Sequence, residues 1–143
     1  MEIYQISVFL ENKPGAFRNV AALLSQNGIN MRAMSVAETA EFGILRVIVN
    51  DNEKTKQVLS DGGYIFKETG VLAVKVSDHP GSLMKVLDAV ADAGISLEYM
   101  YAFATKKDDS ACLILRVDDV EATVKVLTAA EVQLASAEEI KNL

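Results

Sequence analysis

One pattern runs through this chain twice. A shift of 66 positions carries Pro14-Gly15 onto Pro80-Gly81 and Gly28-Ile29-Asn30-Met31 onto Gly94-Ile95-Ser96-Leu97. The same shift brings Val20 to Val86, Leu24 to Val90 and Met34 to Met100. Further along the offset becomes 68: Leu45, Val47, Val49 and Asp51 meet Leu113, Leu115, Val117 and Asp119, and Leu59 meets Leu127. Two residues inserted in a hairpin turn account for the slip, because turns tolerate added length. A repeat of this period marks a duplicated structural unit, so the fold of one copy dictates that of the other.

Within the first copy, Ile3 to Leu10 alternates as a strand with a buried face. From about Pro14 to Asn27 the residues Phe17, Val20, Ala21 and Leu24 recur at helical spacing and form one apolar stripe. Gly28 ends that helix as a left-handed C-terminal glycine does. Ile29 to Ala37 and Phe42 to Asn50 follow as two strands joined by a turn near Glu38 to Glu41. Asp51 caps a second helix carrying Val58 and Leu59, Gly62-Gly63 closes it, and Tyr64-Ile65-Phe66 begins a fourth strand. The second copy repeats the order: strand Val71 to Val76, a helix with Leu83, Val86, Leu87, Val90 and Ala91, Gly94, strands Ile95 to Thr105 and Ala111 to Val117 around a Lys106 to Asp109 turn. A helix capped by Asp118 or Asp119 comes next, then strand Val132 to Leu134 and a tail helix capped by Ser136 with Glu139 three residues on.

Strand, helix, strand, strand, helix, strand is the order of a ferredoxin-like sandwich, an antiparallel sheet with two helices on one face. The expected fold class is therefore α+β, as two tandem βαββαβ domains over residues 1–68 and 69–143. The linker from Lys67 to Gly70 is short, and neither half buries much core alone. Tight packing of the halves is expected.

Composition removes several functions. The net charge is -6, and Lys106-Lys107 is answered at once by Asp108-Asp109. Clustered cations for a phosphate backbone or an anionic membrane surface are missing, so neither nucleic acid nor membrane is an expected partner. Aromatic residues make up only 6% of the chain, too few for a base-stacking sheet. The single cysteine, Cys112, sits in an apolar strand and reads as a buried thiol. There is no signal pattern at the start and no apolar run near the roughly 20 residues of a membrane span, which points to a cytoplasmic protein. With one histidine, His79, no multi-histidine metal site and no catalytic triad can be assembled. Neither a phosphate loop nor a Cys-x-x-Cys motif occurs. No cofactor, no metal and no enzymatic activity are expected.

The corners remain. Asn12-Lys13-Pro14-Gly15-Ala16-Phe17 and Asp78-His79-Pro80-Gly81-Ser82-Leu83 each follow a strand and open a helix. Proline suits a helix's first turn, and glycine leaves no side chain over the free N–H groups there. Such a corner can receive a carboxylate. In this strand order, the strand, Pro-Gly corner, helix and Gly-Ile-Asn pattern resembles the ACT domain, a small regulatory module of amino-acid metabolism, here as two copies without an attached catalytic domain. The resemblance implies side-by-side pairing of domains and a free amino acid bound where they meet. One domain brings its corner, and the neighbour brings the start of its second strand. Serine-sensing members carry an asparagine two residues before Pro-Gly and another at that strand start, positions held here by Asn12 and Asn30 and, in the second copy, by Asp78 and Ser96. A family histidine two residues before the loop asparagine is replaced by Leu10 and Val76, so the resemblance implies the general site rather than serine recognition.

The implied sites mix halves. One joins Asn12 and the Gly15-Ala16-Phe17 corner to Ser96, with Leu97 beside it. The other joins Asp78 and Pro80-Gly81-Ser82-Leu83 to Asn30, with Met31 beside it, and ranks first for polar capacity. There the Gly81-Ser82 N–H groups would hold a carboxylate, Asp78 an ammonium, and the Asn30 amide would donate and accept. The expected function is a non-catalytic amino-acid sensor that signals through a partner enzyme or its own oligomer, a homodimer being expected from the sheet edges. The alternative is an interaction or oligomerisation module with degenerate sites.

Overall fold

The computed structural model describes residues 2–104 and 110–142, and the expected turn at Lys106 to Asp109 lies outside them. Two compact units emerge, residues 4–69 and residues 70–143 together with 1–3. In the first, β1 (Ile3–Leu10) runs into α1 (Ala16–Gln26), then β2 (Met31–Glu38), β3 (Gly43–Val49), α2 (Asn52–Asp61) and the start of β4 (Ile65–Ser77). In the second, the rest of β4 leads to α3 (Ser82–Asp92), β5 (Leu97–Ala104), β6 (Ser110–Val117), α4 (Val120–Ala129), β7 (Gln133–Ala135) and α5 (Ala137–Lys141). The duplicated βαββαβ order read from the sequence is present in both. One boundary differs: the expected linker at Lys67 to Gly70 is strand, and the division between units falls inside β4. Thr69 and Gly70 are half-buried, Val71 to Val74 all buried, and the strand runs through them without a break.

In the first unit β3 lies between β2 and β1, antiparallel to both, with Met34 and Ser35 opposite Val47 and Arg46, and Val8 opposite Leu45. β4 lies beside β1. One sheet face packs Ile6, Val8, Leu45, Val47 and Val49 against Val20 and Leu24 of α1 and Leu59 of α2. In the second unit the order is β7, β4, β6, β5, all antiparallel. Leu72, Val74, Leu113, Leu115 and Val117 there meet Val86 and Val90 of α3 and Leu127 of α4. The duplication holds at the level of single atoms. Thr55 and Thr123 are both fully buried, and their hydroxyls donate to the carbonyls of Asp51 and Asp119 at 2.7 and 2.6 Å. Asp119, not Asp118, caps α4, its Oδ1 accepting from Ala122 N at 3.0 Å as Asp51 Oδ1 accepts from Lys54 N at 3.0 Å.

The second sheet face of the later unit also carries a helix. Glu139 of α5 accepts from Lys75 Nζ at 2.8 Å and from Ser136 N at 2.7 Å, completing a capping box, and Ile140 is buried. These contacts, the Lys75 ammonium first, hold the Glu139 carboxyl below its ordinary range. A lowered carboxyl favours the docked helix while ionised, and that contribution is lost as pH falls through the folded value. Amide exchange in α5 is therefore expected to quicken on acidification before exchange in α3 does; equal onset would show that the ion pair does not hold α5.

Candidate ligand site

At both corners the structure corrects the expected role of Pro-Gly. The helices begin two residues after proline, at Ala16 and Ser82, and glycine is the N-cap. Gly15 has φ 85 and Gly81 φ 87, the left-handed region where a Cβ would meet the backbone. Pro14 and Pro80 sit in the tight turn before the helix, closed by Ala16 N donating to Lys13 O at 3.3 Å and Ser82 N to His79 O at 3.2 Å. Glycine is thus required for its backbone angle, beyond its lack of a side chain.

The consequence for the helix ends is specific. Asp51, Asp119 and Ser136 cap α2, α4 and α5 with side-chain oxygens. α1 and α3, the two helices that follow the corners, have no side-chain cap and no acidic residue in the first turn. Their first N–H groups keep the positive end of the helix dipole unanswered by a side chain.

Around the first corner, Asn12 Nδ2 donates to Thr39 O at 2.9 Å. This bond pins the corner to the turn between β2 and β3, a structural use of Asn12 that the sequence reading did not foresee. Asn12, Pro14, Phe17, Val36 and Gly43 line a cavity of about 300 Å³ there. Gly43 stands in tight surroundings: an added Cβ would lie 3.0 Å from Phe17 Cζ and 3.2 Å from Asn12 Oδ1, so both side chains would have to give way slightly. Gly43→Ala is expected to push the Asn12 amide off Thr39 and to cost about 1 kcal/mol by overpacking. Urea unfolding and the Asn12 side-chain NMR signals check both effects.

The remaining expected site residues divide into two sets. Ala16 is buried, and Phe17, Met31, Leu83 and Leu97 pack against the cores of their own units. Asn30 and Ser96 are exposed at the strand starts, and their N–H groups donate to Asn50 Oδ1 and Asp118 Oδ1, each at 3.0 Å. Asn12 and Asn30 of one copy stand at opposite ends of β2, roughly 25 Å apart along an eight-residue strand. No single copy brings a corner and a strand start together. Asp78 and His79 are exposed on the second corner.

Each unit also holds a cleft on the other side of its corner, between the first helix and the start of the last strand. In the first unit it measures about 330 Å³, in the second about 500 Å³. The second is lined by Lys75, Ser77, Pro80, Gly81, Ser82, Lys85 and Glu131 to Gln133. Of these, the sequence reading named only Pro80, Gly81 and Ser82; the others betray themselves only as departures between the copies. Among the described residues no group of three His, Cys, Asp or Glu side chains is placed to hold a metal, and no helix is long and apolar enough to cross a membrane.

A family model described as an ACT domain pair matches residues 1–143. A solved protein, BT0572 from Bacteroides thetaiotaomicron, is 36% identical with a TM-score of 0.92, covering 100% of this chain and 98% of that one. The regulatory subunit of aspartate kinase from Thermus thermophilus, in a ligand-free form, superposes with a TM-score of 0.63 at 18% identity over 89% of this chain and 91% of that one, a likeness of fold. An acetolactate synthase small subunit from Mycobacterium avium is 29% identical over 62% of this chain and 63% of its own length. One from Buchnera aphidicola is 32% identical over 48% of this chain and 43% of its own length. The chain thus spans less than two thirds of these two relatives.

Proposed function

Because the chain belongs to the ACT domain pair family, we propose that it is a non-catalytic regulatory protein that binds a free amino acid at its corners. It signals by shifting affinity for a partner enzyme or for a second copy of itself. The observation that carries this reading is the contrast among helix starts. Three of the five described helices are capped by their own side chains, and the two after the corners are not. An amino acid's carboxylate is an acceptor of the right charge for those N–H groups. At the preferred corner Asp78 holds the ammonium, and at the other corner Asn12 stands at the equivalent position. Relatives named as small or regulatory subunits of enzymes agree with this coarse role. The amino acid can act only through its preference for one arrangement over another.

A thermal-shift screen with each of the twenty common amino acids tests the reading. A ligand at 100 times its Kd adds about 2.7 kcal/mol, which for a chain of this size raises Tm by several degrees. Asp78→Ala tests the assignment of the ammonium: loss of the response supports Asp78 as its partner, and an unchanged response rejects that role while leaving the amino-acid reading standing. Silence with every amino acid at millimolar concentration overturns the reading.

A second reading, an oligomerisation module, is favoured by β2. This strand is bonded on one side only within its unit, and Met34 and Val36 are half-exposed on it. An uncovered apolar edge of this kind suits pairing with another strand. A homodimer by light scattering, unchanged by any amino acid, would favour it.

A further inference from the structure

The two clefts beside the corners stand at equivalent positions, yet their chemistry differs. Where the first has Phe9 and Ile65, the second has Lys75 and Gln133; where the first has Ala16 and Asn19, the second has Ser82 and Lys85. The most telling exchange is Gly63 for Glu131. Both stand in the left-handed region, at φ 79 and 59, just past a helix end. Glycine is the comfortable residue there, and Glu131 is the only non-glycine at positive φ among the described residues. One copy lines its cleft with Phe9, Leu10, Tyr64 and Ile65 beside a Glu11–Lys13 ion pair at its rim, and the other places Lys75, Lys85 and Glu131 around the same hollow, backed by Val86 and Val132. Lys75 Nζ is already engaged by Glu139 Oε1 at 2.8 Å. Lys85, exposed on α3, is then the cation that an incoming carboxylate meets first.

We propose that the cleft between α3 and β7 is itself a binding site for a small zwitterion, a free amino acid whose carboxylate meets Lys85 and Ser82 and whose ammonium meets Glu131. The site is complete within one copy and needs no residue from β2 or from a second chain. It rests on the amino-acid reading above but moves the recognition of the ammonium away from Asp78. The volume, about 500 Å³, is within the range of small-molecule pockets. A carboxylate and cations lining one pocket suit a ligand carrying both charges better than a simple anion.

The experiment grafts first-copy residues into the second copy. Lys85→Asn and Glu131→Gly each install what the equivalent position already carries, and the glycine also relieves the left-handed backbone, so folding is not at risk. Titration calorimetry is run with the amino acid that gives the largest thermal shift, and with acetate and inorganic phosphate as anions without an ammonium. Each substitution is expected to weaken amino-acid binding about tenfold to a hundredfold, as lost charge-assisted hydrogen bonds do. Glu131→Gly is expected to leave acetate and phosphate binding no weaker. Amino-acid affinity unchanged in both variants but lost in Asp78→Ala overturns the proposal and leaves the amino-acid reading standing. Loss in Lys85→Asn alone also overturns it, since the pocket would then recognise an oxyanion only. Failure of any amino acid to bind the unsubstituted protein ends the earlier reading, and this one with it.

Discussion

Leu127→Ala is expected to lower the unfolding free energy by roughly 2–5 kcal/mol, a large part of the 5–15 kcal/mol that holds a domain folded. Leu127 is fully buried on α4, in the cluster formed with Leu72, Val74 and Leu115 of the sheet. Truncation removes three carbon atoms from water-free surroundings and leaves a hollow between helix and sheet that neighbours can close only in part. Leu59, its counterpart on α2, is equally buried and packs with Val47 and Leu24, so Leu59→Ala is expected to fall in the same range. A control comes from the same helix. Lys125 meets Glu121 at 3.8 Å with 77% and 86% of their side chains exposed. Lys125→Ala is expected to change stability by less than about 0.5 kcal/mol, because an exposed pair is screened and costs side-chain freedom to hold. Urea denaturation of the three variants measures this contrast. A Leu127→Ala protein that unfolds with the Lys125→Ala protein would mean that α4 does not close the core.

The legible part of the fold was the part governed by periodicity. Apolar spacing of 3 and 4 placed Val20 and Leu24, and alternation placed Val8, Leu45 and Val47; these residues form the core because nothing competes with burial there. Asp51, Gly28 and Ser136 were equally readable, since caps depend on a few neighbouring backbone groups. The misplacement of Pro14 and Pro80 within the helices had a different origin. Proline's φ is compatible both with a helix start and with the turn before it, and only the left-handed angle of the following glycine decides between them. The corner's polar surroundings were less accessible still. Thr39, which fixes Asn12, is 27 residues away, and Lys75, Lys85 and Glu131 meet at one cleft from three separate elements. Aligning the copies for their differences rather than their agreements exposes those three positions, because a duplicated core must stay alike while a surface hollow is free to diverge. Which corner meets which strand start depends on how copies pair, and periodicity carries no information on that.

Cys112 is expected to resist alkylation at about pH 8 by at least a hundredfold relative to the unfolded chain. Its thiol is fully buried on β6 opposite Lys75, and burial pushes its pKa up from 9.0 to about 11. The nearby Lys75 ammonium pulls the value down and the Glu139 carboxylate pushes it up, both less strongly than burial. Only the thiolate attacks iodoacetamide, and at about pH 8 a shift of this size lowers its fraction roughly a hundredfold before access is considered. The sign for stability follows from the same numbers. A raised pKa means that the folded protein holds the proton more tightly, so its contribution is full below pH 9.0 and is lost as pH rises through about 11. Labelling of the native protein should therefore accelerate across that window by more than the unfolded chain does. Glu139→Gln acts on the thiol in two ways in the same direction, since it removes both the charge that raises the thiol and the partner of Lys75 that anchors α5. Faster labelling in that variant, followed by mass spectrometry, is the expected result. Native labelling as fast as in denaturant would place Cys112 outside the core and contradict the packing of β6 against its neighbours.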